Sequence, residues 1–208
     1  MSVQVRATGT AEAPNYYDGP SDVAGDVSVN QRFYTFATDA GLVAGKTMNV
    51  TFTIDRPSKD VWPVFKDFNL WQSSHHIYSA IVGDSEGKRL RISNSSAPGV
   101  WLGDGYDVIR VLPERTIVLS QPVPDGSSLS STVAGFQGGG ISPGFHVFTL
   151  AERAGKTTVN VLMQHARRTT DLSEEDALKI WRELAPQSQA KWLDPFIPTL
   201  KRRVNEHS

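Results

Sequence analysis

The stretch KTMNVTFTID, residues 46–55, alternates without a break. Met48, Val50, Phe52 and Ile54 fall on one face, and Thr47, Asn49, Thr51 and Thr53 fall on the other. A period of two over ten residues means a strand with one buried face. The next segment, RPSKDVWPVFKDF, changes period. Pro57 suits a first helical turn, Ser58 or Asp60 can cap it, and Val61, Phe65 and Phe68 recur at helical spacing. Strand followed by helix is therefore the opening unit.

Three pairs of strand-like segments follow, each joined by turn chemistry. IYSAIVG and KRLRIS flank DSEG, WLGDGYDVIRVL and RTIVLS flank PE, and FHVFTLAE and KTTVNVLMQHA flank RAG. Consecutive hairpins build an antiparallel sheet. The end of the chain is helical. Ser173 can cap EEDALKIWREL, whose acidic first turn suits the helix dipole. Pro186 restarts the pattern, and Trp192, Phe196, Leu200 and Val204 then mark one face, with Pro195 and Pro198 expected to bend that helix. Residues 1–45 keep no sustained period. They are read as an arm packed on the domain or across a dimer, with a partly disordered tail as the alternative.

Composition narrows the function classes. With 208 residues, 39% apolar and 21% charged, the chain fits one soluble domain with a sizeable core. A formal net charge of −1 gives no reason to expect nucleic acid as a partner. Lys201, Arg202 and Arg203 follow the last apolar stripe and read as a solvated helix end. The absence of cysteine excludes disulfides, thiolate catalysis and thiolate metal sites. No leader-like segment and no long apolar run is visible, so the expected setting is cytoplasmic, without membrane insertion.

In its order of elements the chain resembles the SRPBCC superfamily, the helix-grip proteins that include START, birch-pollen-allergen-type and polyketide-cyclase members. VTFTIDRPSKDVWPVFKDFNLW at 50–71 is similar to the opening signature of that superfamily. VIRVLPERTIVLS resembles its middle hairpin, GFHVFTLAERAGKTTVNVLMQH its last hairpin and FIPTLKRRV its closing helix. The resemblance spans roughly residues 46–205. It implies an α+β helix-grip fold, with a curved antiparallel sheet of about seven strands wrapped around a long C-terminal helix over an internal cavity. It also implies a small apolar, aromatic or polyketide-like ligand, and chemistry, where there is any, that needs no cofactor. Against this frame residues 1–45 are an extension, and the glycine- and serine-rich segment at about 126–142 is an insertion. Glycine hinges with Leu129, Val133 and Phe136 suit a lid, and a surface loop is the alternative.

Parity places the candidate chemistry. His146 alternates with Phe148 and Leu150, and His165 with Val159, Val161 and Met163, so both point into the apolar interior from neighbouring strands. Desolvation keeps such imidazoles neutral, able to donate from one nitrogen and accept at the other. That suits a general base or acid, a ligand-orienting hydrogen bond, or a purely structural role. Arg91, with Arg89, lies on the strand where some catalytic relatives carry an arginine, and Tyr106 in the opposing GDGYDV offers a proton donor. Their parity also fits a solvent-facing pair. His146, His165, Arg91 and Tyr106 are the catalytic candidates.

The candidate ligand wall combines Phe52, Met163 and Phe196 with Trp71, Trp101, Trp181 and Trp192, with Phe136 from the lid and His76 at the rim. Adjacent His75 and His76 point opposite ways on an extended chain, and no HExxH motif occurs, so no metal is expected. GGG at 138–140 lacks the Lys and Ser/Thr of a phosphate loop. Three functions remain: a small-molecule binder, a cofactor-independent lyase, cyclase or dehydratase, and a protein-interaction module. A homodimer is compatible with each.

Overall fold

The computed structural model describes residues 13–39, 41–66, 76–79, 89–94, 97–101, 106–121 and 144–207. Three strands, β1 (Asn15–Ala24), β2 (Val27–Thr38) and β3 (Gly41–Ile54), precede the helix α1 (Ser58–Lys66). Seven more follow: β4 (His76–Ser79), β5 (Arg89–Asn94), β6 (Ala97–Trp101), β7 (Tyr106–Leu112), β8 (Thr116–Gln121), β9 (Gly144–Arg153) and β10 (Lys156–Thr169). Helices α2 (Glu174–Lys191) and α3 (Ile197–Glu206) close the chain. The strands form one antiparallel sheet in the order β1-β2-β3-β10-β9-β8-β7-β5-β4, with β6 paired to β5. The C-terminal helices pack on the concave side of this curved sheet, which is the helix-grip arrangement.

All three expected hairpins are present as β4/β5, β7/β8 and β9/β10. In the last, Ala154 and Gly155 both take positive φ and join Arg153 to Lys156 directly, the two-residue turn whose twist matches the strands it connects. The sheet has ten strands among the described residues, against the seven expected. The additions are β1, β2 and β6. The sheet also runs through residue 46 without a boundary, because β3 begins at Gly41 and β1 and β2 extend it. The segment read as an arm thus supplies two strands.

The sequence hides those two strands for physical reasons. In β1, Asp18, Gly19 and Pro20 read as a turn, but the register shifts between Asp18 and Ser21 and takes them up as a bulge on an edge strand. In β2, Val27, Val29, Phe33 and Thr35 share the concave face with Gln31, whose polarity breaks the apolar alternation.

The concave face carries two apolar clusters. The larger joins Met48, Val50, Phe52 and Ile54 of β3 to Val159, Val161 and Met163 of β10 and Phe148 of β9. Val61 and Phe65 of α1 and Ile197, Leu200 and Val204 of α3 cover it. The smaller sets Phe33 and Ala44 under Ala177, Leu178, Trp181 and Ala185 of α2. Between the two clusters the same face is polar.

The C-terminal helices follow their sequence signals with one difference. Ser173 Oγ accepts from the Asp176 amide at 3.2 Å and caps α2. Glu174 in that first turn accepts from Tyr17 and Thr35 and so ties α2 to β1 and β2. Pro186 does not restart the helix: α2 runs through it, because the buried Trp181 and Ala185 hold that stretch against the sheet. The break comes at Asp194, which leaves helical space at φ −150° and ψ 112°. It precedes Pro195, and a residue before proline is pushed to extended backbone. The bend expected of Pro195 is thus present. It turns α3 so that Ile197, Leu200 and Val204 face the larger cluster.

Candidate functional site

The polar band between the clusters is built by register. Across β2, β3, β10 and β9, Gln31, Met48, Met163 and His146 are successive partners. One step along the sheet, Phe33, Lys46, His165 and Gly144 are successive partners. All these positions have concave parity, and directly paired side chains stand about 5 Å apart at Cβ. Two rows therefore bring Lys46, His165, His146 and Gln31 onto one floor, with Met48 and Met163 between them.

Burial makes this floor unusual. Lys46 is 1% exposed, Gln31 3% and His165 8%. The Lys46 ammonium donates to Ser188 Oγ of α2, and that hydroxyl donates on to the Leu184 carbonyl at 3.1 Å. The rings of His146 and His165 meet edge to face with centroids 5.1 Å apart. His146 keeps some exposure as a residue, but its Nε2 is sealed from solvent. Desolvation first, and the Lys46 charge second, push its pKa down to about 3. The imidazole is therefore neutral throughout the physiological range. It can hold a hydrogen bond, but it is too weak a base to match the operating pH of a general base. The lowered pKa weighs against the base role considered for His146 and favours a hydrogen-bonding role.

The backbone of His165 is pinned from the convex side. Tyr34 lies across Gly45 and donates to the His165 carbonyl at 3.1 Å, while Gln164 donates to the Tyr34 hydroxyl at 3.3 Å. Only glycine allows this approach. A Cβ at residue 45 would stand 2.3 Å from the His165 carbonyl oxygen and 2.6 Å from the tyrosine hydroxyl.

The other candidates divide. Met163 forms the floor beside both histidines, and Trp192 and Phe196 stack at 5.2 Å in the kink between α2 and α3. Phe52 is fully buried in the larger cluster, six residues along β3 from Lys46. Trp181 is fully buried in the smaller cluster and belongs with Phe33 rather than with Trp192. Register pairs Tyr106 with Leu90 and Asp107 with Arg89, whereas Arg91 pairs with Ser79 on β4. The side chains of Arg91, Tyr106, His76 and Trp101 lie outside the described residues, as do Trp71, Phe136 and the whole of 126–142.

Lys46 and Gln31 are not among the candidates that sequence motifs offer, although parity points to both. Lys46 extends the buried series Met48, Val50, Phe52 and Ile54 by one step, and Gln31 sits midway between Val29 and Phe33. Among the described residues, no group of three or more His, Asp or Glu could hold a metal ion, and no helix is long and apolar enough to cross a membrane.

No family model and no curated protein matches the sequence. Solved structures do match the fold. Norcoclaurine synthase from Thalictrum flavum, in complex with dopamine and hydroxybenzaldehyde, aligns with a TM-score of 0.52 at 12% identity, covering 80% of this chain and 90% of its own. SA2116 from Staphylococcus aureus, a protein of unknown function, aligns with a TM-score of 0.54 at 9% identity, over 78% and 96% of the two chains. NE0264 from Nitrosomonas europaea aligns with a TM-score of 0.52 at 8% identity, over 78% and 96%. Likeness at these identities establishes the helix-grip fold and leaves function to the site itself.

Proposed function

We propose that this helix-grip chain binds a small, flat aromatic molecule between the concave face of its sheet and its C-terminal helices, with the polar end of that molecule on Lys46, His165 and His146. The observation that carries this reading is the convergence of Lys46 and His165, both buried, with His146, sealed at Nε2, on a floor otherwise built of Gln31, methionine and phenylalanine. A few polar groups set in an otherwise apolar wall fix the orientation of a ligand that lies on it. Norcoclaurine synthase, of the same fold, is described in complex with two small aromatic molecules, which supports an aromatic class. An apolar ligand burying roughly 300 Å2 gains about 7 kcal/mol at about 25 cal/mol per Å2, enough for micromolar binding after association costs.

Chemistry follows from the same groups. Lys46 favours electron density on a ligand oxygen, and neutral His146 supplies a fixed hydrogen bond. His165 is the group to move a proton, in cofactor-independent lyase, cyclase or dehydratase chemistry. The second reading is a carrier without catalysis, and the low basicity of His146 favours it.

Native mass spectrometry of protein purified from cells separates these readings. A co-purified aromatic molecule of a few hundred daltons is expected. If the protein is an enzyme, incubation changes that molecule, and His165→Gln slows the change by about 10²–10⁴-fold. A molecule retained unchanged by both proteins identifies a carrier. Protein that arrives empty and takes up no aromatic compound contradicts both.

A further inference from the structure

Gln31 lies on the concave face of β2, on the floor beside Lys46, and is 3% exposed. Its amide nitrogen is committed to α2, donating to the Ala185 carbonyl at 3.0 Å and to Gln189 Oε1 at 3.4 Å. The orientation of that amide is not arbitrary. A carbonyl can only accept, so Nε2 must face Ala185. Gln189 in turn donates through its own Nε2 to the Asp22 carboxylate at 3.4 Å, which leaves its Oε1 to receive Gln31. Both constraints fix which end of the Gln31 amide is the carbonyl oxygen. That oxygen is buried and has no hydrogen-bond donor among the described residues. Buried acceptors are nearly always satisfied. This one is held in place by two contacts on its nitrogen, with Lys46 on the neighbouring strand and the histidines farther across the same face.

We infer that Gln31 is a specificity residue of the site: its Oε1 accepts a hydrogen bond from a hydroxyl or amine carried on the aromatic ligand. The inference rests on the binding reading above and names the ligand class within it, a ring bearing a donor group rather than a bare hydrocarbon. Met48, the direct partner of Gln31, offers the apolar surface for the ring, and the Lys46 side chain stands one step along the sheet. A pure hydrocarbon would leave the Gln31 oxygen buried against carbon, so the site should reject it.

The test compares 2-naphthol with naphthalene by fluorescence titration of the full chain. The parent protein is expected to bind 2-naphthol about tenfold or more tightly than naphthalene, the worth of one buried hydrogen bond. In Gln31→Met that preference is expected to fall to within about twofold, because 2-naphthol loses its acceptor while naphthalene no longer leaves a buried oxygen unpaired and binds more tightly. A far-UV circular dichroism spectrum and a cooperative thermal melt like the parent's show that the variant has kept its fold. Gln31→Asn, which retracts the amide by one methylene, is expected to lose the preference in the same way and serves if the methionine variant does not fold. A hydroxyl preference that survives in the variants, or none in the parent, overturns the role of Gln31. Failure of the parent to bind either probe overturns the binding reading itself.

Discussion

Lys46→Met is expected to leave the protein as stable as the parent or more stable, while weakening binding of a hydroxylated aromatic ligand by about 10–100-fold, the worth of a hydrogen bond from a charged group. The two effects part because the lysine stem and methionine fill similar space between Phe33 and His165, yet only lysine brings a charge to the floor. Replacing a buried charge by an apolar group of like volume is often neutral, or stabilising by about 1–4 kcal/mol. On the helix side Ser188 keeps its bond to the Leu184 carbonyl. Thermal melts and a 2-naphthol titration on the same preparations check both halves. A variant that melts far lower yet binds as before would make Lys46 a structural residue and remove it from the site.

The second large effect is an acid response centred on His146. Its pKa stands near 3 in the folded protein, against about 6.5 in an unfolded chain, because its ring is desolvated and faces the Lys46 ammonium. The unfolded chain therefore binds the extra proton first. His146 costs the fold nothing above about pH 6.5. Below that its contribution falls by roughly 1.4 kcal/mol per pH unit, until the folded protein also protonates near pH 3. His146→Gln removes the titrating group while keeping a polar side chain. Urea unfolding of both proteins between pH 7.5 and 4 should give curves that diverge steadily below pH 6.5, the parent losing stability faster. Carboxylates common to both cancel in the difference. Parallel curves would show that the ring is not buried as described.

The alternation of residues 46–55, the three hairpins and the capped C-terminal helix carry enough local signal to specify the fold, because each buries one face with its own period. β1 and β2 were illegible for a different reason. Their pairing depends on a bulge that absorbs Asp18, Gly19 and Pro20, and on a buried glutamine whose polarity interrupts the pattern. Parity sufficed to point His146 and His165 inward. It could not show that they touch, since that depends on how β9 and β10 are offset, nor that burial first, and the Lys46 charge second, lower the pKa of His146. Gln31 and Lys46 went unnoticed because polar residues within an apolar alternation are ordinarily read as its end. Here they mark the middle of a band that only the register of four strands brings together.

The account stands on the claim that this band is a ligand surface, and the histidine rings report on it directly. In protein labelled with 15N at histidine, titration with 2-naphthol is expected to shift the ring nitrogens of His146 and His165 together and saturably. His207, exposed beyond α3, is the internal control and should stay fixed. Saturable binding that leaves both interior rings unmoved would place the ligand elsewhere and contradict the account.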